Sequence, residues 1–152
     1  MAEHSDHKIV ASNRKARHDY QIVDTFEAGI VLLGSEVKSL RAGGAQLKDA
    51  YGDIRKGEAW LENLHIAPYV HAREGGHDPE RSRKLLMHRR EIDRLYGRVR
   101  EQGLTLIPLS IYFRDGRAKV EIALAKGRAR HDKRRAIIDR QQQREMDRAR
   151  GR

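Results

Sequence analysis

The sequence predicts a mainly β fold with helices, an OB-like Greek-key barrel of six antiparallel strands followed by a basic C-terminal tail. Apolar and polar residues alternate over 107–113 and 118–124, and the Asp-Gly turn between these segments predicts a hairpin. Two earlier β-prone regions, 20–33 and 50–66, supply four more strands. A chain of 152 residues with no Cys and 3 Pro holds one modest core, and this composition excludes collagen-like and disulfide-framework classes.

The region before the barrel is predicted to be a basic arm over residues 1–19, because it lacks a periodic apolar pattern. Residues 20–33 predict two strands, with Ala28-Gly29 marking a bulge or bend between them. The barrel is expected to end at residue 125, so the chain divides into an arm over 1–19, a barrel over 20–125 and a tail over 126–152.

Two helices are predicted within the barrel domain. The first spans 34–44, with Ser35 as its N-cap. The second runs from about residue 80 to residue 102, and Gly103 ends it. Its apolar stripe is formed by Ile92, Leu95, Tyr96 and Val99.

The final hairpin is predicted to place its large apolar side chains on one face of each strand. The apolar face of its first strand consists of Ile107, Leu109, Ile111 and Phe113. The apolar face of its second strand consists of Ala118, Val120, Ile122 and Leu124. Pro108 lies on the opposite face, which indicates an edge position for the first strand.

The positive charge is concentrated in the tail. Residues 126–152 hold 11 Lys and Arg against 4 Asp and Glu, a net of +7 within the total of +10. Such a segment is typical of binding to a polyanion, with nucleic acid as the first candidate and an acidic membrane surface as the second. A solvated tail that only aids solubility is the remaining alternative. We expect the tail to be disordered in the free protein and helical when bound, because three large apolar residues cannot offset its ordering entropy.

The sequence gives little support for catalysis, cofactors or metals. It contains no Cys for a thiolate site and no P-loop, GxGxxG or GxSxG stretch. His65, His71 and His77 recur every six residues, which matches neither helical nor strand spacing, so a zinc site there is only a minor alternative. A nuclease with scattered carboxylates is a second minor alternative. No apolar run is long enough to span a bilayer and no secretory signal is visible, so a cytoplasmic protein is expected.

Candidate RNA contacts are recognisable by residue type, but spacing alone does not single them out. Asn13 and Glu27 carry groups that read base or ribose edges, yet an ordinary turn residue and a solvated strand residue explain them equally. Leu86 is interpreted first as the buried start of a helix and second as an exposed side chain that packs against a base. His131 in the tail is a stacking candidate, and Gly127 is the expected joint between barrel and tail.

Several long strings nevertheless match one known family. They extend over about residues 8–135, in the order and spacing of the family. They are Asn13-Arg14-Lys15-Ala16-Arg17-His18-Asp19-Tyr20, Phe26-Glu27-Ala28-Gly29-Ile30, Gly34-Ser35-Glu36-Val37-Lys38-Ser39-Leu40-Arg41, Arg83-Lys84-Leu85-Leu86, Leu95-Tyr96-Gly97, Ala123-Leu124-Ala125-Lys126-Gly127 and His131-Asp132-Lys133-Arg134. On these strings the chain resembles the SsrA-binding protein (SmpB) family.

The resemblance implies a bacterial trans-translation factor with an OB-type barrel that binds and mimics RNA and has no catalytic role. Family members bind the tRNA-like domain of transfer-messenger RNA (tmRNA, or SsrA RNA) and accompany it, charged with alanine, to stalled 70S ribosomes. The tail is implied to enter the decoding centre and the vacant mRNA channel, so that the ribosome is rescued and the nascent peptide is tagged. EF-Tu and alanyl-tRNA synthetase are implied as indirect partners through the RNA, and the free protein is expected to be a monomer.

The resemblance also assigns residues to two sites. For tmRNA it implies contacts by Asn13, Arg14, Lys15, Arg17, Glu27, Lys38, Arg41, Lys84 and Leu86. For the decoding centre and small-subunit rRNA it implies Gly127, His131, Asp132, Lys133 and Arg134. Beyond Arg135 the chain departs from relatives that carry a tail Trp, and Gln141-Gln142-Gln143 occupies that region. Ile137 and Ile138 are the candidates for anchoring there, with Arg140 and Arg144 for phosphates.

The interpretations predict different results in one experiment. A general RNA-binding barrel binds unrelated structured RNAs equally well, whereas a nuclease consumes the RNA. Competition between the tRNA-like RNA and ordinary tRNA, with the integrity of the RNA as a readout, separates these classes from the family function.

Overall fold

The computed structural model describes residues 7–69, 77–127 and 144 of the chain. The described residues form nine strands and three helices. The strands are β1 (His7–Ser12), β2 (Tyr20–Ile30), β3 (Ala45–Gln46), β4 (Tyr51–Arg55), β5 (Glu58–Glu62), β6 (His65–Ile66), β7 (Arg83–Leu86), β8 (Thr105–Arg114) and β9 (Arg117–Gly127). The helices are α1 (Arg14–Asp19), α2 (Gly34–Arg41) and α3 (Arg89–Gln102).

Six antiparallel strands close into a barrel in the order β8–β4–β5–β7–β2–β9 and back to β8. The ring confirms the predicted mainly β, OB-like architecture of six strands. Strand β1 adds to the outer half of β8, and β3 pairs with β6 in a separate two-stranded ladder. The barrel closes between β4 and β8 through a short contact in which Gly52 pairs with Leu106.

The core follows from the alternation along the strands. In β5 the buried residues Ala59 and Leu61 alternate with partly exposed neighbours, and all four predicted apolar residues of β9 face the main core. Helix α3 contributes Ile92 and Leu95, with Val99 partly buried, whereas Tyr96 is exposed. The predicted stripe is therefore correct for three of its four members.

The β8–β9 hairpin forms as predicted, but the face prediction for β8 is wrong in its first half. The register shifts between Pro108 and Ser110, so Leu109 is an extra, bulged residue. Ile111 and Phe113 join the main core, whereas Ile107 and Leu109 pack in a second cluster beneath α1. A one-residue bulge inverts the alternation, and this cannot be read from an unbroken apolar pattern.

The predicted edge position of Pro108 is also corrected. Strand β8 lies inside the sheet, with β9 along one side and β4 and β1 sharing the other. Pro108 is buried between the point where β4 pairs, at Leu106, and the point where β1 begins to pair, at Ser110. A residue without an N–H fits this gap in the ladder at little cost.

Two other sequence predictions for strands are corrected. Residues 20–30 form one continuous strand rather than two, and its irregularity lies at Val23, not at Ala28-Gly29. The helix predicted from residue 80 begins only at Arg89, because residues 83–86 form β7 between β5 and β2. The prediction thus counted one strand too many in residues 20–33 and omitted β7. The total of six strands in the ring is correct because β7 takes the place of the extra strand.

The predicted arm contains regular structure in its described part. Strand β1 pairs with β8, with Val10 as an extra residue, and Asn13 begins the six-residue helix α1. Helix α2 lies where predicted, but the predicted cap is wrong. Ser35 is inside the helix, and the Leu33 N–H donates instead to Glu36 Oε1 at 2.8 Å. Gly103 ends α3 in the left-handed conformation with φ of 63°, as predicted.

Candidate nucleic-acid interface

The strand register brings Glu27 and Leu86 to the same outer face of the barrel. Gly29 pairs with Leu86 of β7 on one side and with Lys119 of β9 on the other, and Lys119 pairs with Tyr112 of β8. Glu27 lies two residues before Gly29 and therefore points to the same face. We define the outer-face patch by Glu27, Lys84, Leu86, Tyr112, Arg114 and Lys119.

Leu86 is the main apolar group of the outer-face patch. It is 54% exposed, whereas its neighbour Leu85 is 2% exposed and faces the core. A Cβ at Gly29 would lie 3.2 Å from the Leu86 Cβ, so the glycine leaves room for the leucine to lie against β2. The sequence interpretation of Leu86 as a buried helix start is therefore wrong. The exposed leucine is free to pack against an unstacked base.

Glu27 is held by two side chains from β8. The Tyr112 hydroxyl donates to Oε2 at 2.5 Å, and Arg114 Nη1 lies 3.2 Å from the same oxygen. The Tyr112 hydrogen bond, helped by Arg114 and Lys119, holds the pKa of Glu27 below its ordinary value against the opposing effect of partial burial. Burial and the hydrogen bond to Glu27 raise the pKa of Tyr112. The carboxylate is thus fixed in its ionised form, a state that accepts hydrogen bonds from RNA hydroxyl or amino groups.

Lys84 lies beside Leu86 on the same outer face. Its Nζ is 3.6 Å from Glu58 Oε2, and both side chains are more than two-fifths exposed. An exposed pair of this kind contributes little to stability. The ammonium can therefore exchange Glu58 for a phosphate at little cost.

Asn13 is a structural anchor. It is 8% exposed, its Oδ1 accepts from the Ala16 N–H at 3.2 Å, and its Nδ2 donates to the Leu47 and Pro108 carbonyls. Both amide hydrogens are thereby used within the protein. Its influence on RNA binding would therefore act through α1, which it orients against the barrel.

The cations of α1 are exposed. Arg14, Lys15 and Arg17 all project from the helix surface, and Arg17 Nη2 lies 3.5 Å from Glu121 Oε1. Glu121 pairs with Glu27 across β2 and β9. Helix α1 therefore extends the outer-face patch with positive charge.

Lys38 and Arg41 project from α2 at the end of the barrel where β8 ends. The Arg41 guanidinium carbon lies 4.2 Å from the centre of the Phe113 ring, and the Lys38 ammonium lies 5.6 Å from the Tyr69 ring. Both residues remain exposed. The aromatic contacts fix the directions of these two cations while leaving them open to a partner.

Gly127 lies at the opposite end of β9 from the outer-face patch. It is the last residue of the strand and pairs with Tyr20, the first residue of β2. Beyond it the structure describes Arg144 alone, which is helical and exposed. The other predicted decoding-centre and channel residues lie outside the described residues, as does the prediction of a disordered tail. They are His131, Asp132, Lys133, Arg134, Ile137, Ile138 and Arg140.

Sequence reasoning missed the part of the outer-face patch that comes from the last hairpin. Tyr112 and Lys119 alternate with the core residues of β8 and β9, and Arg114 ends β8. The signal was present, because polar residues between predicted core positions must face outward. What was absent was the register that places these residues beside Glu27.

The described residues contain no group of three His, Cys, Asp or Glu that is suited to a metal. His77 is buried, with Nδ1 2.8 Å from Ser35 Oγ and Nε2 2.9 Å from the Ile66 carbonyl. His65 lies 3.6 Å from Glu80, and His71 is outside the described residues. Both ring nitrogens of His77 thus have partners within the protein, and the described ranges offer no set of ligands for the zinc alternative.

A closed antiparallel barrel with a cationic surface around one apolar side chain and one fixed carboxylate defines an OB-like protein built for binding nucleic acid. The family model described as SmpB protein matches residues 10–152. The SsrA-binding protein of Acidothermus cellulolyticus is 60% identical over 152 residues, which cover all of this chain and 96% of that protein. The chain belongs to the SmpB protein family.

Further comparisons agree with this assignment. The SsrA-binding protein of Mycolicibacterium smegmatis is 57% identical over 148 residues, 97% of this chain and 92% of that protein. A chain from the solved structure described as "tmRNA-SmpB: a journey to the center of the bacterial ribosome" is 50% identical, with a TM-score of 0.68. The match covers 84% of this chain and 93% of that one. Separately, no helix within the described ranges is long and apolar enough to cross a membrane.

Proposed function

We propose that this protein is an RNA-binding trans-translation factor that recognises the tRNA-like domain of tmRNA. It delivers alanyl-tmRNA to stalled ribosomes, and rescue with nascent-peptide tagging follows. The proposal is carried by one observation, the juxtaposition of Glu27 and Leu86 on one outer face in a chain of the SmpB family. The relatives named SsrA-binding proteins and the tmRNA-SmpB structure on the bacterial ribosome support it.

The outer-face patch suits a folded RNA better than a uniform polyanion. A fixed carboxylate repels a bare phosphate backbone, so Glu27 is useful only where it accepts hydrogen bonds from hydroxyl or amino groups of a particular RNA. The cations of α1, α2 and Lys84 supply the phosphate contacts around it. In this proposal they are Arg14, Lys15, Arg17, Lys38 and Arg41, with Asn13 acting through the position of α1.

The two proposed activities, binding tmRNA and binding the ribosome, are assigned to different parts of the protein. The chain leaves β9 at Gly127, about 20 Å from Glu121 at the usual rise of about 3.3 Å per residue. The strand residues of the outer-face patch therefore lie away from the point where the tail departs, and α1, which ends next to Tyr20, lies between the two. We propose that residues 126–152 act in the decoding centre and the vacant mRNA channel of the 70S ribosome.

The protein acts by binding and mimicry without catalysis, in the cytoplasm, and it is a monomer when free. EF-Tu and alanyl-tRNA synthetase are indirect partners through tmRNA. The arm over 1–19 and the barrel over 20–125 serve the RNA, whereas the tail over 126–152 serves the ribosome.

Competition binding tests the RNA assignment. Labelled tRNA-like RNA is displaced by unlabelled tRNA-like RNA or by ordinary tRNA at one fixed salt concentration, and the RNA is recovered afterwards. We expect selective binding and intact RNA. Equal displacement by both competitors would support a general RNA-binding barrel instead, and metal-dependent degradation would support a nuclease.

Truncation tests the two-site division. Removing residues 131–152 is expected to leave the affinity for the tRNA-like RNA within twofold of the full chain and to abolish tagging in a reconstituted reaction. The full-length chain prepared in parallel is the control. Full tagging by the truncated protein would contradict the role proposed for the tail.

A further inference from the structure

A buried carboxylate joins the two elements that carry four of the proposed RNA contacts. Glu36 on α2 is 0% exposed, as is Arg83 on β7. Arg83 Nε donates to Glu36 Oε2 at 2.7 Å, and Arg81 Nη2 donates to Oε1 at 2.5 Å. Two residues beyond Glu36 lies Lys38, and one residue beyond Arg83 lies Lys84.

Arg83 also fixes the segment that leads into β7. Its Nη1 donates to the Leu64 carbonyl and its Nη2 to the Pro79 carbonyl, the latter at 3.1 Å. The guanidinium fork therefore holds α2, the turn after β5 and the segment before β7 in one arrangement. A planar five-donor group is suited to this task, and a lysine is not.

A second contact ties the first turn of α2 to the same segment. The Ser35 hydroxyl lies 2.8 Å from His77 Nδ1, and His77 Nε2 lies 2.9 Å from the Ile66 carbonyl. The residues of α2 that make these contacts, Ser35 and Glu36, lie in its first turn, whereas its cations, Lys38 and Arg41, lie further along. The direction of the helix is therefore set from its first turn.

Glu36 remains charged in this environment. Burial alone raises the pKa of Glu36, but the hydrogen bonds from Arg81, the Leu33 amide and Arg83 outweigh it and leave the pKa below its ordinary value. In the Glu36–Arg83 pair both carboxylate oxygens and all three guanidinium nitrogens have hydrogen-bond partners, whereas Arg81 Nε is buried without one. A buried ion pair of this kind gives a defined geometry more readily than it gives stability. Its expected use is therefore to fix relative positions.

We propose that Glu36 is a positioning residue for RNA binding, which acts through Arg81 and Arg83 to hold the α2 cations in register with Lys84 and Leu86. Glu36 itself, being buried, does not touch RNA. Fixing α2 in advance removes the cost of ordering it when RNA binds. The inference rests on the proposed function, since it concerns the same RNA surface.

The test measures coupling, because a loss of affinity alone would also follow from a damaged fold. Affinity for the tRNA-like RNA and its salt dependence are measured for the wild type and for Lys38→Ala/Arg41→Ala. The same pair of substitutions is then made in the Glu36→Gln protein and in the Arg81→Gln protein. The Arg81 side chain is 32% exposed, so replacing it disturbs the core less than replacing the buried Glu36. Glu62→Gln is the matched control, because the hydrogen bonds of Glu62 come from Arg55 and Ser82, next to the network, and not from α2.

In the wild type, affinity falls as salt rises, and removing the two α2 cations is expected to decrease the magnitude of the slope of log affinity against log salt by about 1.5. In Glu36→Gln and Arg81→Gln proteins the same removal should lower it by less than half as much, because α2 is no longer held against the RNA. In Glu62→Gln the full decrease is expected. Circular dichroism tests that each protein is folded. If the Glu36→Gln protein is unfolded, the Arg81→Gln protein alone tests the inference.

Other outcomes overturn the inference in distinguishable ways. An equal decrease in slope in all backgrounds means that Glu36 does not act through α2. If the α2 substitutions are silent in the wild type while the tRNA-like RNA still binds, the inference fails and the proposed function stands. If the wild type does not bind the tRNA-like RNA, the proposed function fails and the inference fails with it.

Discussion

Leu86→Ala is the substitution whose effect on RNA binding follows most directly from the structure. Leu86 is 54% exposed in the free protein. Complete burial of a leucine side chain is worth about 1.5–3 kcal/mol, so covering the exposed half with an RNA base is worth about 0.8–1.6 kcal/mol. Losing this contribution weakens the affinity roughly 4- to 15-fold. The free protein should lose no more than about 1.5 kcal/mol of stability, because only the covered half of the side chain contributes to folding.

Titration with the tRNA-like RNA over a series of salt concentrations measures this effect. The slope of log affinity against log salt should be unchanged by Leu86→Ala, because leucine carries no charge. Lys84→Ala should instead lower the slope by about 1. Val23→Ala is the control, since Val23 is 44% exposed and lies about 20 Å from Gly29 along β2 at the usual rise per residue.

Two results would refute the reasoning. One is a Leu86→Ala affinity within twofold of the wild type at the same salt concentration, with the fold intact. The other is an equal loss of affinity in Val23→Ala, since the effect would then be a general consequence of removing exposed apolar surface. A Leu86→Ala protein with a lowered salt slope would mean that the substitution disturbs neighbouring cations.

Three further predictions concern the fold and its charges. In Gly52→Ala the new Cβ would lie 2.8 Å from the Leu106 Cβ at the closure of β4 on β8, so urea unfolding should show a loss of about 1–3 kcal/mol, and an unchanged midpoint would contradict this. Tyr112→Phe removes the hydrogen bond that lowers the pKa of Glu27, so the pKa measured by carboxyl NMR titration should rise towards the ordinary value of a glutamate. A carboxyl with a lowered pKa contributes stability that is lost as the pH falls through that pKa. The variant should therefore lose less stability than the wild type when the pH is lowered through this range. Arg83→Met should cost about 3 kcal/mol in denaturant unfolding, because Glu36 Oε2 and the Leu64 and Pro79 carbonyls lose their donor while Arg81 still pairs with Glu36 Oε1, and a loss below about 1 kcal/mol would contradict the description of Arg83 as buried and hydrogen-bonded.

The sequence predicted those elements whose signals are local. The β8–β9 hairpin has alternation, a turn of suitable residues and enough length to exclude a helix. Helix α3 has an apolar stripe over about two turns and a glycine at its end. In each case the residues that decide the structure are neighbours in the chain, so local pattern and final fold agree.

Strand β7 was missed because its structure depends on distant strands. The string Arg83-Lys84-Leu85-Leu86 has only four residues and adjoins a strong helical pattern, so nothing local distinguishes a strand from a first helical turn. Its backbone is extended because β5 and β2 lie on either side of it and need a partner. The same applies to the bulge at Leu109, where a single extra residue inverts a face without changing the pattern.

The candidate site divides in the same way. Residue type identified Glu27 and Leu86, but the register that makes them neighbours exists only after the barrel has closed. Asn13 illustrates the limit most clearly, because an asparagine amide is equally suited to a base edge and to a helix N-cap. Three internal hydrogen bonds decide for the cap. Buried positioning residues such as Glu36 are harder still to predict, since their partners lie more than 40 residues away.

Closure of the barrel also explains how a small protein could serve two large partners. A one-residue slip in β2 or β9 would move Glu27 and Lys119 to the interior, so the register of the whole ring must be fixed for the outer-face patch to exist. The same register places Gly127 against Tyr20 at the other end of the two strands. The position of bound RNA and the point where the tail departs are therefore set by one strand of 11 residues, which is paired with β2 on one side and β8 on the other. Under the proposed function this fixed spacing is required, because a tail that left the barrel at a variable point would not reach a defined ribosomal channel when the RNA is bound.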